Sequence, residues 1–124
     1  MNLIEIFSII IIHWFADFLM QDEKWALGKS KNWNDLLKHT FMYSFIWLIV
    51  GLFIFNNINV LYFFLITFIT HTITDYFTSR IVSKKFAKQQ YGSSIPNIGG
   101  FTIIGIDQVL HYIQLFATYW LLCK

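Results

Sequence analysis

The residues with the most chemistry in this chain recur at one spacing. His13 and Asp17, His71 and Asp75, and Asp107 and His111 each stand four positions apart, which puts both members of a pair on one face of a helix. His39 completes a set of four histidines. Imidazole nitrogens and carboxylate oxygens together form the ligand set of first-row divalent metals, and pairs from facing helices can converge on ions in the core of a bundle. Four histidines and three aspartates exceed what one tetrahedral ion takes. They suit two ions, or one ion with surrounding carboxylates that orient the imidazoles. Zn, Mn and Fe all accept such ligands. Two other uses of the same residues remain open: hydrogen bonds within the pairs or between helices, and a proton relay of Asp and His side chains.

The elements that must carry these pairs follow from composition. The 124 residues are 56% hydrophobic, 20% aromatic and 13% charged, with a mean hydropathy of +0.55. Soluble chains carry about 25% charged residues, so a soluble enzyme is excluded. Disorder is excluded by the same hydrophobicity. Cys123 is the only cysteine, which rules out a disulfide scaffold,. A net charge of +2 gives no argument for nucleic acid.

Apolar runs at 3–20, 36–55, 60–79 and 101–122 each approach the ~20 residues that a bilayer requires. The first is not a signal peptide, because it lacks a cationic leader and holds Glu5, His13 and Asp17,. The expected fold is therefore all-α: an integral membrane four-helix bundle forming a single transmembrane domain over 1–124. Lys24, Lys29 and Lys31 mark the loop 21–35, and Arg80, Lys84, Lys85 and Lys88 mark the loop 80–100, whereas 56–59 is uncharged. The positive-inside rule places both basic loops in the cytoplasm and both termini outside, with Lys124 dissenting. Trp25, Trp33, Phe86 and Tyr91 suit loops that lie on an anionic leaflet, although ordinary solvated connectors have the same composition. Gly92, Ser93, Ser94, Pro96, Gly99 and Gly100 mark an irregular lead into the last helix,.

All four histidines fall inside these spans, and so do the acidic residues Asp17, Asp75 and Asp107, with Glu5 at the outer end of the first. A mid-membrane carboxylate costs about 2.5 to 3.5 kcal/mol, so three would cost roughly 8 to 10 kcal/mol without compensation. The His-Asp order reverses in the fourth span, which runs in the opposite direction to the first and third. All three aspartates then lie roughly 5 to 9 Å below the cytoplasmic boundary and their histidines roughly 10 to 15 Å, with His39 at about 5 Å. No comparable ionisable layer is expected in the outer half, and Glu5 reads as a solvated flank.

Gln21 and Ser79 extend two of these faces by one further step, Tyr43 follows His39 by four, and Gln108 adjoins Asp107. Each is a candidate for orienting a ligand or touching substrate, although such residues are also common at membrane boundaries. Lys29, Arg80 and Lys84 stand at the cytoplasmic rim, where they could attract a phosphate head group or serve topology alone. The segments 13–18 and 71–76 share the form His-x3-Asp-aromatic, each followed by a basic loop and a returning helix with a second polar pair. Two pseudo-repeated helical hairpins are expected, with the site between them.

The run 13–21, then Lys29-Ser30-Lys31, His39 with Tyr43, 71–76 and 107–111 together resemble, in order and along nearly the whole chain, the small bacterial and phage membrane proteins catalogued as domain of unknown function 3307. More distantly, the pattern is similar to bacterial inner-membrane proteins labelled membrane-bound metal-dependent hydrolases. That resemblance points to a metal-dependent hydrolase at the bacterial inner membrane, and the ligand layer near the cytoplasmic leaflet makes an ester or phosphoester of a lipid or lipid-linked compound the expected substrate. His13, His39, His71 and His111 would be ligands, and Asp17, Asp75 and Asp107 ligands or the general base. The alternatives are a divalent-metal transporter, which in so short a chain would need a homo-oligomer, and a structural protein stapled by its metal. The chain has no Gly-rich nucleotide loop and no Ser or Cys in a nucleophile context.

Overall fold

The computed structural model describes residues 1–92 and 95–123, so the expectations for Ser93, Ser94 and Lys124 lie outside the described residues. About 80% of the chain is helix and no strand occurs among the described residues. The elements are α1 (Leu3–Trp14), a π turn (Phe15–Leu19), α2 (Glu23–Gly28), α3 (Trp33–Ile54), α4 (Asn59–Ala87) and α5 (Gly100–Leu122). Side chains at their N-termini account for three of the starts. Asn2 and Glu5 form a reciprocal capping box on α1, Asp22 accepts from the Lys24 N–H on α2, and Asn32 accepts from the Asp35 N–H on α3,.

Helix limits depart from the apolar runs in two places. Helix α4 continues to Ala87, so Arg80, Lys84 and Lys85 stand on a helix and not in a loop. Hydropathy marks where apolar surface ends, whereas the backbone goes on as long as its residues tolerate a helix, and 80–87 contains neither Gly nor Pro,. The segment 21–35 is likewise structured, containing α2 and the first turn of α3.

Helix α1 with its π turn, α3, α4 and α5 close into a ring: α3 packs on α4, α4 on α5, α5 on α1, and the π turn on α3. At one end the Tyr119 hydroxyl donates to Glu5 (3.0 Å) and the Asn59 amide donates to the Leu122 carbonyl (2.9 Å). Glu5 is thus a tie between α1 and α5 as well as a cap. Above that end Ile9, Trp47, Phe55, Phe63 and Leu115 form the apolar part of the core.

The rest of the interior is polar. His13, Thr40, Ser44, Thr67 and His71 are fully buried, while Ile4 and Phe53 are 77% and 86% exposed on the outer surface. Two helices, α3 and α4, are long and apolar enough to cross a membrane.

Helix α2 folds back against the start of α3. A Cβ at Gly28 would overlap the Asp35 carboxylate, so only glycine permits this approach,. Asp35 is buried there and accepts from the Asn32 amide at 2.8 Å. Gly28→Ala is expected to lower stability by about 1–3 kcal/mol through overpacking, read as a shift in the denaturation midpoint of detergent-purified protein. An unchanged midpoint would show that α2 does not seat on α3.

Candidate metal centre

The π turn, α3, α4 and α5 bring Asp17, His39, His71, Asp75, Asp107 and His111 into one buried cluster. Three groups have ligand atoms close enough to share an ion: Asp17, His39 and His71; His71, Asp75 and His111; and Asp17, Asp107 and His111. The first group draws one ligand each from the π turn, α3 and α4. His39 Nε2 lies 3.2 Å from Asp17 Oδ1, His71 Nε2 lies 3.6 Å from the same oxygen, and the two Nε2 atoms are 3.2 Å apart.

Bonds of about 2.0–2.1 Å at tetrahedral angles separate ligand atoms by about 3.3 Å, so these three atoms are spaced as ligands of one ion. Asp17 Oδ1 is buried and has no hydrogen-bond partner, although His39 Nε2 is only 3.2 Å away. The donor set, two imidazoles and a carboxylate, also serves catalytic zinc and non-haem iron.

The pairs spaced four apart are not the closest contacts. His13 Nε2 is 3.8 Å from Asp17 and His71 Nε2 is 3.7 Å from Asp75, whereas His39 and His111 each reach Asp75 across helices at 3.1 Å. Only His111 and Asp107, at 3.2 Å, are close within their own helix. Asp17 sits in the π turn, a local widening that recurs at functional sites. Its counterpart in the second hairpin, Asp75, stands on an uninterrupted helix.

His13 occupies a different position from the other imidazoles and belongs to none of the three groups. Its Nδ1 is 2.7 Å from the Tyr43 hydroxyl and its Nε2 is 2.8 Å from Gln108 Oε1. The Gln108 amide nitrogen donates to Asp17 Oδ2 and Asp107 Oδ2, at 3.2 and 3.1 Å. His13 therefore fixes Gln108, and Gln108 leaves Asp17 Oδ1 facing the two imidazoles. Tyr43 also stacks on His71, with ring centroids 3.8 Å apart.

A cavity of about 420 Å³ opens beside the cluster. Its polar wall includes Asp17, Gln21, Lys29, Ser79, Asp107 and Gln108, and its apolar wall includes Phe18, Leu27, Val82, Phe86 and Ile104. Gln21 Oε1 and Ser79 Oγ are buried without hydrogen-bond partners. A family profile described as a protein of unknown function (DUF3307) matches residues 6–124. The chain belongs to the DUF3307 family. No curated protein and no solved structure matches it.

Lys29 enters this DUF3307 centre from the connector between α2 and α3. Its Nζ donates to Asp75 Oδ2 at 2.8 Å. Burial alone would pull the ammonium pKa down, but the Asp75 and Asp17 carboxylates outweigh it and hold it above the usual lysine value,. Arg80 is elsewhere: its guanidinium lies 3.7 Å over the Tyr76 ring, which in turn stacks on Trp33, and it donates to the Tyr76 carbonyl. Lys84 borders a separate shallow pocket with Lys85 and Lys88. Neither Arg80 nor Lys84 lines the cavity.

Several residues of the DUF3307 interior escaped the sequence reading. The Thr78 hydroxyl contacts Asp107 Oδ1, and Gln114 donates to Thr67 and Thr118. Thr67 stands four before His71 and Gln114 three after His111, so the helical period that found the pairs also contains this continuation.

Proposed function

We propose that this DUF3307 protein is an integral membrane, metal-dependent hydrolase acting on an ester or phosphoester of a lipid or lipid-linked substrate. The observation that carries the reading is the double role of Asp17, which belongs both to the three-ligand group and to the wall of the amphipathic cavity. An apolar wall of Phe18, Leu27, Val82, Phe86 and Ile104 opposite a polar one that carries Lys29 and Lys31 suits an amphiphile with an anionic head. An exterior of Ile, Leu and Phe around a polar interior supports a four-helix bundle immersed in a bilayer,. The cluster-side connectors carry Lys24, Lys29, Lys31 and Lys88, which supports a cytoplasmic orientation in a bacterial inner membrane with both termini outside.

A divalent ion held by Asp17, His39 and His71 supplies Lewis acidity and an activated water. Asp107 lines the cavity and lies 3.2 Å from His111 Nε2, so this pair can take and pass on a proton. Lys29 and Lys31, both on the cavity wall, attract an anionic head group. The test is product release from phosphoester and ester lipids by protein in nanodiscs loaded with Zn, Mn or Fe. Metal-dependent turnover that is lost in Asp107→Asn, with metal still bound, supports the reading. Turnover equal with and without metal sinks it. A divalent-metal carrier is the second reading, favoured by the polar strip of Thr67, Gln114 and Thr118 beyond the cluster. It predicts metal flux in sealed vesicles, whereas the apolar layer of Trp47, Phe63 and Leu115 closes that end.

A further inference from the structure

Asp75 is placed where a fourth ligand would stand. Its Oδ2 lies 3.1 Å from His39 Nε2 and 3.7 Å from His71 Nε2, beside the same two imidazole nitrogens that face Asp17. Two imidazoles and two carboxylates around one ion would make a closed, four-ligand site, the kind that holds structure and leaves no position for water or substrate. Both Asp75 oxygens are engaged otherwise, Oδ2 by the Lys29 ammonium at 2.8 Å and Oδ1 by His111 Nε2 at 3.1 Å. Lys29 also lines the cavity, so its ammonium stands between Asp75 and the space a substrate would enter.

We infer that Lys29 withholds Asp75 from the ion, so that the centre is mononuclear, three-ligand and open at its fourth position, with the ammonium in the place of a second metal. The inference rests on the metal centre proposed above. In two-metal sites the second cation clamps an oxygen of the reacting group. Here Lys29 performs that task from the cavity wall, and it keeps the first ion accessible by occupying the carboxylate that would close it.

The experiment compares purified full-length protein with Lys29→Met, Asp75→Asn and the double variant. Metal content, Zn²⁺ affinity against a chelating indicator, and the absorption spectrum of the Co²⁺-loaded protein with and without azide are measured. Wild type is expected to bind one ion and to show an azide-dependent spectral change, because azide can take the open position. In Lys29→Met, Asp75 becomes free to close the site, so Zn²⁺ affinity rises about tenfold or more and the azide response disappears. Adding Asp75→Asn restores that response. Asp75→Asn alone keeps the ion within about tenfold of wild-type affinity and responds to azide, which decides the matter even if Lys29→Met does not fold.

Tighter binding with the azide response retained would reflect lost charge alone and would overturn the inference. So would two ions per wild-type chain, or loss of the ion in Asp75→Asn. Wild-type protein that holds no metal after reloading would overturn the metal centre itself, a result distinct from the others.

Discussion

Asp17→Asn is expected to strip the transition metal from the purified protein and to take metal-dependent turnover with it. The substitution is isosteric, and the introduced carboxamide keeps an oxygen for the Gln108 amide that now reaches Asp17 Oδ2 at 3.2 Å. Folding should therefore survive. What is lost is the anionic oxygen beside His39 and His71, at 3.2 and 3.6 Å, the only carboxylate in that group of three. Removing a group that merely orients a ligand costs about 10–100-fold in metal affinity, so removing the charged ligand should cost more than ~100-fold. Elemental analysis by mass spectrometry, with wild type and variant purified without chelators, reads the outcome directly. A variant that retains a full equivalent would move the ion to His71, Asp75 and His111, the group that does not use Asp17.

The sequence made the ingredients of this centre legible because helical geometry is periodic. Three His-Asp pairs at a spacing of four, at matched depths, already implied one stratum of ligands, and the structure gathers all but His13 into the three candidate groups. Partner choice across helices is a matter of rotation and crossing, which a one-dimensional pattern does not encode. Hence the in-helix pairs of His13 and His71 are looser than the contacts His39 and His111 make to Asp75.

The π turn was invisible for a related reason, since one extra residue per turn leaves no mark on composition. Lys29 was read as a rim cation because its neighbours in sequence are polar and basic. Its inward path depends on the close approach of Gly28 to Asp35, a packing event between α2 and α3 rather than a local preference. Arg80, from a similarly basic segment, went the other way once α4 ran on to Ala87 and its guanidinium met the face of Tyr76.

Removing the ion should destabilise the protein without unfolding it. Asp75 Oδ1 and Asp107 Oδ2 are 3.1 and 3.2 Å from the same His111 nitrogen, so the two carboxylates are within roughly 6 Å of each other. At that separation two like charges repel by about 3 kcal/mol at an effective dielectric of ~20. Lys29 and the imidazoles offset part of this, and a divalent ion at Asp17, His39 and His71 would offset more of it. An ion that binds only the folded chain adds about 2.7 kcal/mol at a hundred times its dissociation constant, so Zn²⁺ in that excess should raise the melting temperature in detergent by several degrees. Asp17→Asn should show no such rise. The apolar layer of Ile9, Trp47, Phe55, Phe63 and Leu115 and the Glu5–Tyr119 bond lie outside the cluster, and they hold the apo bundle together. If chelation instead abolishes the cooperative transition altogether, the ion is a staple, because folding and metal binding are then a single event.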